Sequence, residues 1–401
     1  MTNTDILISG AGIAGPTLAY WLHEAGYTPV VVERAPAPRP GGQAVDLRGA
    51  GRTVISRMGL MEQAKAVALD QRGFALVDGR GRISTRVPDH AFGGEGIVSE
   101  IEILRGDLAD LLHRASTPYT EYLFDDTVTA LDQDEDGVTV TFERAAPRRF
   151  ALVVGADGLH STVRRLAFGP AERYLRPLGC YTAWFTATGD LDLDGWFLMY
   201  NAPGGLVASA RPGRLPGELK AGLSFRSAPI AYDRRDPAAQ RALLAERFAG
   251  AGWQTPRLLA AMHEADDFFF ESMGQVHLDS WSRGRVTLLG DAGYCPTPLT
   301  GLGTSLALVG GYLLAGELAA AGGDHRTALR RYEERMRPYV TGAQKLPPGG
   351  AAGFAPDSAL AIRMRAASMR WMTRWPLRPL MAAQFAKAAD IELPDHRFGP
   401  R

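Results

Sequence analysis

The sequence predicts an α/β protein that combines a Rossmann-like domain, a second domain rich in β-sheet and a C-terminal helix. Three observations lead to this prediction. The chain opens with a strand that breaks into glycines and continues as a helix, and its middle third contains short strand-like segments dense in aromatic residues. A glycine- and proline-containing loop late in the chain then leads into a long apolar helix. Strands that alternate with helices favour a parallel sheet.

The N-terminal stretch has the pattern of a dinucleotide-binding βαβ unit. The strand Asp5–Ser9 is followed by Gly10, Gly12 and Gly15, and a helix continues from there. The first glycine permits the turn, the second lets backbone N–H groups approach a pyrophosphate, and the third lets helix and strand pack closely. The second strand ends at Glu33, where an acid accepts hydrogen bonds from a ribose and disfavours a 2′-phosphate.

The segment after this unit is predicted to be irregular before it becomes helical. Residues 34–48 are rich in proline and glycine, which fits either a functional loop beside a ligand or a plain connector. A helix is expected from Thr53 to Leu69, and another restarts at Glu102 with Arg105 near its beginning. This arginine fits either a ligand contact or a solvated surface group.

A second glycine motif follows the strand that begins at Leu152. Gly155 and Gly158 allow close backbone approach, and Ser161 is expected to cap the next helix. Asp157, between the two glycines, has two open interpretations: it orients a ligand, or it only closes the turn.

The middle region, residues 173–282, is expected to form a largely antiparallel sheet. Its strand-like segments carry Trp184, Phe225 and many other aromatic residues, most of which we assign to the core. An aromatic face on this sheet would suit a large planar apolar substrate.

A third motif follows the strand that begins at Arg285. Asp291 is placed at the end of a buried strand, where it would accept hydrogen bonds from hydroxyl groups. The amides of Gly301–Thr304 are expected at a helix N-terminus, which favours negative charge. Residues 292–316 contain no charged side chain, but their prolines and glycines favour a loop and a buried helix over a membrane span.

Composition points to a small-molecule partner. The 401 residues contain 44 Lys plus Arg and 44 Asp plus Glu, so no net charge draws the chain to nucleic acid or an anionic membrane. Only two cysteines are present, far apart and without metal-ligand spacing, which argues against a disulfide framework or a metal site. The N-terminus lacks a basic region before an apolar run, so we expect a cytoplasmic protein. We expect this protein to be a monomer or a homodimer.

The patterns divide the chain into a discontinuous first domain, a second domain in two pieces and a C-terminal helix. The predicted ranges are 1–72, 102–172 and 283–345 for the first, 73–101 and 173–282 for the second, and 355–392 for the helix.

Taken together, the three motifs resemble the class A flavoprotein monooxygenases of the para-hydroxybenzoate hydroxylase fold. The residues that carry the resemblance are Gly10–Gly15 with Glu33, Gly155–Gly158 with Ser161 and Arg164, and Gly290-Asp291 with Pro298, Gly301 and Gly303. The length and the segment Gly41–Leu47 with Arg105 look most like the tetracycline-inactivating flavin monooxygenases and their actinobacterial relatives.

The resemblance implies an FAD-binding first domain and a substrate-binding second domain. It implies no side-chain nucleophile, no metal and a reactive flavin edge beside Pro298 and Gly301. The implied substrate-lining residues are Phe225, Met199, Trp184 and Pro298. The implied cofactor-binding residues are Gly10, Gly12, Ile13, Ala14, Gly15, Glu33, Arg34, Arg39, Asp46, Arg105, Asp157, Asp291, Gly301, Leu302, Gly303 and Thr304.

The chain departs from the family pattern in three places. Gly293-Tyr294 replaces the usual Ala-His after Asp291-Ala292, Ser305 replaces an asparagine, and Gly311 replaces a helical aspartate. The histidine that contacts tetracyclines in the relatives has no clear counterpart in this chain.

The function implied is hydroxylation of an aromatic or polycyclic, polyketide-like molecule by O2 through a flavin C4a-hydroperoxide, with NADPH or NADH as transient reductant. Two alternatives share the same motifs. One is an FAD-dependent reductase or dehydrogenase of an isoprenoid or polyketide, and the other is a non-catalytic flavin- or ligand-binding protein.

Overall fold

The computed structural model describes residues 4–91, 99–189, 191–372, 389–396 and 398. A six-stranded sheet forms the first layer, and all its strands are parallel except the antiparallel edge strand Ser282–Arg283. The central strands are continuous apolar runs because helices cover both faces. In spatial order the strands are Ser282–Arg283, Val286–Leu288, Leu152–Gly155, Asp5–Ser9, Thr28–Glu33 and Glu121–Phe124. The predicted Rossmann-like unit is confirmed.

The long helix Gly303–Ala320 lies in the middle of this half of the molecule. It packs against the helices Ala14–Glu24, Gly49–Arg57 and His325–Ala343, and it is apolar on all sides. Of the described helices, it is the one long and apolar enough to cross a membrane, yet 83% of its length is buried inside the protein. The prediction of a buried helix is confirmed.

Most of the described α-helices pack one face against a sheet or against the long helix. Their bounds are Ala14–Glu24, Gly49–Arg57, Met61–Ala66, Arg105–Ser116, Thr162–Phe168, Pro237–Arg247, Thr255–Glu264, Asp291–Tyr294, Gly303–Ala320, His325–Ala343, Gly350–Phe354 and Ala359–Met372. Short 3-10 helices are Thr117–Tyr119, Ala171–Arg173 and Pro298–Thr300.

A seven-stranded sheet forms the second part of the molecule. It is antiparallel except where Trp196–Ala202 runs parallel to Gly73–Val77. In spatial order the strands are Phe269–Val276, Leu175–Thr188, Glu218–Arg226, Leu206–Pro212, Trp196–Ala202, Gly73–Val77 and Ile83–Pro88. The predicted largely antiparallel sheet is confirmed.

The two faces of this sheet differ in chemistry, and the aromatic one is not the exposed one. Tyr181, Phe225 and Phe270 stack on the face that the helices Pro237–Arg247 and Thr255–Glu264 cover. The expectation of an aromatic face open to a planar substrate is therefore wrong, because two helices bury that face as core. The opposite face, which we call the polar face, carries Thr182, Ser224 and Glu271 in register across three neighbouring strands.

Two small sheets complete the fold. Val128–Gln133, Val138–Phe142 and Arg148–Phe150 form an antiparallel meander. Ala44–Asp46 pairs antiparallel with Glu102–Leu104. The helix expected from Glu102 begins only at Arg105, because this pairing holds the preceding residues extended.

Two further expectations need adjustment in detail. The helix predicted over Thr53–Leu69 is divided into Gly49–Arg57 and Met61–Ala66, because Gly59 adopts a left-handed conformation with φ +71°. Residues 345–356, whose glycine and proline content predicts an irregular linker, contain the short helix Gly350–Phe354.

The C-terminal helix Ala359–Met372 packs on the polar face of the seven-stranded sheet. The hydroxyl of Thr85 donates to the carbonyl of Ala366 at 3.0 Å, and Arg365 donates to the amide oxygen of Asn201. The predicted helix at 355–392 includes residues 373–388, which lie outside the described residues. The domain boundaries themselves stay predictions.

Candidate functional site

The first glycine loop has no room for side chains. Gly10 has φ +108°, and a Cβ there would lie 2.5 Å from the carbonyl oxygen of Ala156. A Cβ on Gly15 would lie 1.9 Å from the carbonyl oxygen of Gly10. The helix that starts at Ala14, after Ile13, has no side-chain cap, so its first N–H groups face the cleft beside the loop. This is a backbone cradle for an anion.

Glu33 closes the far side of this cradle. Its carboxylate accepts hydrogen bonds from the N–H groups of Ala11 at 2.8 Å and Ala35 at 2.9 Å. A carboxylate has about four acceptor positions. Two acceptor positions therefore remain open on this carboxylate, and the binding of ribose hydroxyls there stays a prediction.

Arg105 extends across the cleft. A Cβ added to Gly12 would lie 3.3 Å from its guanidinium, so the side chain covers the glycine loop. Burial and the nearby Arg39 lower the pKa of Arg105, while Asp291, Glu271 and Glu33 act in the opposite direction. The arginine is thus a half-buried group among carboxylates and not a solvated surface group, and its contact with a ligand stays a prediction.

The loop of residues 34–43 is tied to the start of the Arg105 helix. The N–H of Arg105 donates to the carbonyl of Gln43 at 2.9 Å, and the N–H of Gly106 donates to that of Gly41 at 2.7 Å. Arg34 and Arg39 are exposed beyond this anchor. The loop therefore holds two free-ended cationic side chains beside the cleft.

Asp157 closes its own turn. Its carboxylate accepts hydrogen bonds from the N–H groups of Thr162 at 2.7 Å and Val163 at 3.1 Å, and from the hydroxyl of Ser161. Ser161 in turn caps the helix by accepting from the N–H of Arg164 at 2.9 Å, as predicted. Of the two interpretations left open for Asp157, these contacts favour the turn-closing one.

Arg164 is a structural partner of the site that is absent from the predicted cofactor-binding residues. Its side chain is 1% exposed and donates to the carbonyls of Ala292 at 2.8 Å and Leu159 at 2.6 Å. It thereby joins the second glycine motif to the loop after Asp291. The sequence signal for it was its place in the second motif, where it follows Gly155–Gly158 and Ser161.

Asp291 lies at the floor of the cleft. Asp291 is exposed, yet desolvation by the surrounding protein raises its pKa, while the Cys295 thiol and Arg105 oppose the rise. A Cβ on Gly303 would lie 3.8 Å from one of its carboxylate oxygens. Asp291 thus stands beside the start of the long helix.

The start of the long helix is an uncapped anion site. Leu302 precedes the first helical residue Gly303, and no side chain caps the helix. The N–H of Gly301 donates to the carbonyl of Pro298 at 3.1 Å. The predicted set of amides is therefore narrowed to Leu302, Gly303 and Thr304, because the turn itself uses the amide of Gly301.

Backbone strain marks the same loop. Thr297 has φ +81°, a conformation that a β-branched residue rarely adopts, and its buried hydroxyl has no hydrogen-bond partner. Strain of this kind clusters at functional sites. It lies one residue before Pro298, the predicted flavin-edge residue.

The predicted substrate-lining residues are divided between the two faces of the large sheet. Trp184 and Met199 belong to the polar face, where the Trp184 ring covers Gly222 and the Met199 sulfur lies 3.7 Å from Arg365. Phe225 lies on the other face, fully buried beneath the helices. The assignment of Phe225 is therefore corrected, because side chains on a strand alternate between faces.

The three departures from the family pattern have local structural reasons. The Tyr294 hydroxyl hydrogen-bonds that of Tyr332 at 2.8 Å inside the core, and the Ser305 hydroxyl donates to the carbonyl of Arg48 at 3.1 Å. Gly311 lets the long helix approach the first one, since a Cβ there would lie 3.1 Å from Thr17.

The chain matches the family model described as an FAD binding domain over residues 3–345. It is 45% identical over 352 residues to the uncharacterised protein Rv1260 of Mycobacterium tuberculosis, covering 88% of this chain and 94% of that one. It is 38% identical over 343 residues to a flavin-dependent monooxygenase of Legionella longbeachae, with 86% and 87% coverage. Among solved structures, the tetracycline destructase Tet(55) superposes with a TM-score of 0.82 at 36% identity, covering 98% of this chain and 99% of that one.

Proposed function

The chain belongs to the FAD-binding-domain family of flavin-dependent monooxygenases, and from this premise we propose that it hydroxylates an aromatic or polycyclic, polyketide-like molecule at the expense of NAD(P)H. The observation that carries the proposal is that the cleft of the glycine motifs and the polar face of the large sheet are adjacent. The cleft of the glycine motifs opens onto the polar face of the large sheet at Glu271, which faces Arg105 and Asp291 of the cleft.

The residues of the cleft fit FAD. The glycine loop accommodates a pyrophosphate because a Cβ at Gly10 or Gly15 would collide with backbone. Glu33 has acceptor positions left for the adenosine ribose, and Asp291 for hydroxyls of the ribityl chain. When bound, FAD supplies the electron transfer and the activation of O2.

The protein contributes electrostatics at the start of the long helix. The open amides of Leu302, Gly303 and Thr304 and the helix dipole favour a negative charge next to them. Reduction of a flavin places negative charge on its pyrimidine ring, so with that ring at this helix end Leu302, Gly303 and Thr304 would stabilise the reduced form more than the oxidised form. Groups fixed in advance in this way provide stabilisation without reorganisation.

The polar face is proposed to receive the substrate. Small hydroxyl-bearing side chains lie there beside the half-buried Trp184 ring, with Thr182 and Ser224 hydrogen-bonded to each other at 2.9 Å. A planar ring stacked on Trp184 would place its hydroxyl groups within reach of these side chains. Support for a polycyclic substrate comes from the tetracycline destructase, whose named substrate class is a polycyclic phenol.

The reductant is proposed to dock at the rim of the cleft. Arg34 and Arg234 lie near His160 and help to lower its pKa, and Arg39 lies near Arg105. All three rim arginines are exposed. Such a group of cations favours the pyrophosphate of NAD(P)H without a second dinucleotide-binding domain.

The test is anaerobic stopped-flow reduction of the FAD-loaded protein by NADPH and NADH, with and without polycyclic phenols, followed by turnover under 18O2. We expect one ligand class to accelerate reduction and its product to gain one 18O atom. Product formed without 18O would favour the reductase or dehydrogenase alternative. Tight ligand binding without flavin reduction by either nucleotide would contradict the proposal.

A further inference from the structure

Two buried carboxyl groups face each other beside the cleft. Asp46 and Glu102 are register partners in the two-stranded sheet, and their side chains are 15% and 4% exposed. Arg48 pairs with Asp46 at 2.9 Å, and Arg211, from the large sheet, pairs with Glu102 at 2.5 Å. We call these four residues the carboxyl cluster.

The burial and the contacts of the cluster favour one bound proton. One oxygen of Glu102 accepts from both Gln71 at 2.8 Å and Arg211, and the carboxyl also shares a hydrogen bond with Asp46. Two carboxyls can share a hydrogen bond only if one is protonated. Burial raises the pKa of Glu102 to about 8, Arg211 opposes the rise, Asp46 adds to it and Arg48 opposes it.

The charge of the cluster follows from that proton. Two guanidinium groups and one ionised carboxylate leave a net charge of +1, and loss of the proton reduces it to zero. Among the charged groups of the described residues, Arg211, Asp46 and Arg48 are those that act most strongly on Glu102, and Gln71, which also contacts it, is neutral.

The cluster borders the open end of the long helix. A Cβ on Gly301 would lie 3.3 Å from an Asp46 carboxylate oxygen and 4.0 Å from the Arg48 guanidinium carbon. The carbonyl of Arg48 accepts from the Ser305 hydroxyl in the first turn of that helix. With FAD bound, the cluster and the helix end would both act on the negative charge that reduction places on the pyrimidine ring.

We propose that the Asp46–Glu102 pair is a proton-binding partner of the flavin, which binds its proton more tightly when the flavin is reduced and thereby raises the flavin midpoint potential. The inference rests on FAD binding and not on any substrate. When two electrons and one proton reach the flavin, the pair takes a second proton from water if it is ionised at that pH, and releases it on reoxidation. The positive cluster then compensates the flavin anion.

The test is a spectroelectrochemical titration of the FAD-loaded protein between pH 7.5 and 9.5, without nicotinamide or substrate. For a two-electron couple, each proton taken up changes the midpoint potential by about 30 mV per pH unit. We expect a slope of about 30 mV per pH unit at pH values where the pair is protonated in both the oxidised and the reduced protein. Above pH about 8 the slope should steepen towards about 60 mV per pH unit, because reduction then adds a second proton.

The variant Glu102→Gln removes the proton that titrates but keeps the packing of the side chain. Its amide oxygen can accept from Arg211 and Gln71, and its NH2 group can donate to Asp46, so the cluster keeps a net charge of +1 at every pH. We expect its slope to stay near 30 mV per pH unit, with a potential close to the wild type at pH 7.5 and higher at pH 9.5. The matched control is Glu317→Gln, which removes a buried carboxylate paired with Arg335 at 2.6 Å, about 20 Å along the same helix. We expect this control to keep the wild-type slope.

A slope near 30 mV per pH unit in the wild type across the whole range would overturn the proposal, as would a steep slope retained by Glu102→Gln. If that variant fails to retain FAD, an indicator dye can count protons taken up by the wild type on anaerobic photoreduction. We expect about one proton at pH 7.5 and a value approaching two at pH 9. One proton at both pH values refutes the inference, whatever the substrate proves to be.

Discussion

Replacing Arg164 by methionine should weaken both the fold and its hold on FAD. Methionine has similar length and no charge, so it fills the buried channel without donating. The carbonyls of Ala292 and Leu159 lose their donors at 2.8 and 2.6 Å. These carbonyls belong to the loops of the second and third motifs, so both loops lose the group that joins them.

The magnitude follows from burial. A buried acceptor left without a partner costs about 1–3 kcal/mol, so two cost about 2–6 kcal/mol. Removing a 1% exposed guanidinium also removes its own desolvation cost, which offsets part of that loss. We expect the free energy of unfolding to fall by about 2–4 kcal/mol. Because Ala292 directly follows Asp291, we expect the Kd for FAD to rise at least about tenfold, or about 1.4 kcal/mol.

Urea unfolding of the cofactor-free protein and FAD titration by flavin fluorescence measure the two effects separately. Arg283→Met is the matched control, because Arg283 also donates to a backbone carbonyl, that of Ala167 at 2.8 Å, but at an exposed position. It should change the free energy of unfolding by less than about 1 kcal/mol. A change below about 1 kcal/mol for Arg164→Met, with an unchanged Kd for FAD, would refute the assignment of Arg164 as the link between the motifs.

Three further predictions concern the loop, the rim and pH. Gly15→Ala should purify without flavin, as absorbance at 450 nm would show, because its Cβ would lie 1.9 Å from a backbone oxygen. The control Gly342→Ala should retain flavin, because a Cβ there meets no atom within 4 Å and the helix His325–Ala343 carries none of the glycine motifs. Arg39→Gln should raise the Kd for NAD(P)H about fivefold, and by less at high salt, as measured by stopped-flow reduction. The control Arg330→Gln, on a distant helix, should leave that Kd unchanged. Equal effects of the two substitutions would contradict docking of the nucleotide at the rim. Burial, together with Arg234, Arg164 and Arg34, lowers the pKa of His160 to about 4. As the pH drops from about 6.5 to 4, this histidine is protonated in the unfolded chain before it is protonated in the folded one, so the free energy of unfolding should fall. His160→Gln should flatten that fall in urea titrations, and an unchanged pH profile would count against it.

Local patterns were sufficient to predict the cofactor half of the molecule. The glycine spacing, the acid at Glu33 and the cap at Ser161 depend on backbone conformation within a few residues, so the sequence contains the whole cause. Asp157 was ambiguous for the opposite reason. Whether its carboxylate faces a ligand or its own helix depends on the orientation of one turn, and the N–H groups of Thr162 and Val163 decide it.

The face of a strand was the main source of error. Phe225 and Trp184 both lie in aromatic strands, but Phe225 faces the covering helices and Trp184 faces the cleft side. A single sequence gives the alternation along each strand but not which face another element covers. The helices Pro237–Arg247 and Thr255–Glu264 determine which face is covered, and the residue pattern of the strands does not predict where these helices pack.

The sequence by itself determined the features that short-range sterics and apolar periodicity dictate: the parallel sheet, the tight glycine loops, the long buried helix and the family to which they belong. Only the tertiary structure decided which side chains meet across distant segments. Arg164 reaches the loop after Asp291, and Glu102 lies between Asp46 and Arg211, although more than 100 residues separate Glu102 from Arg211. The physical reason is that buried charges depend on partners and desolvation supplied by the whole fold, whereas a glycine turn depends only on its own backbone.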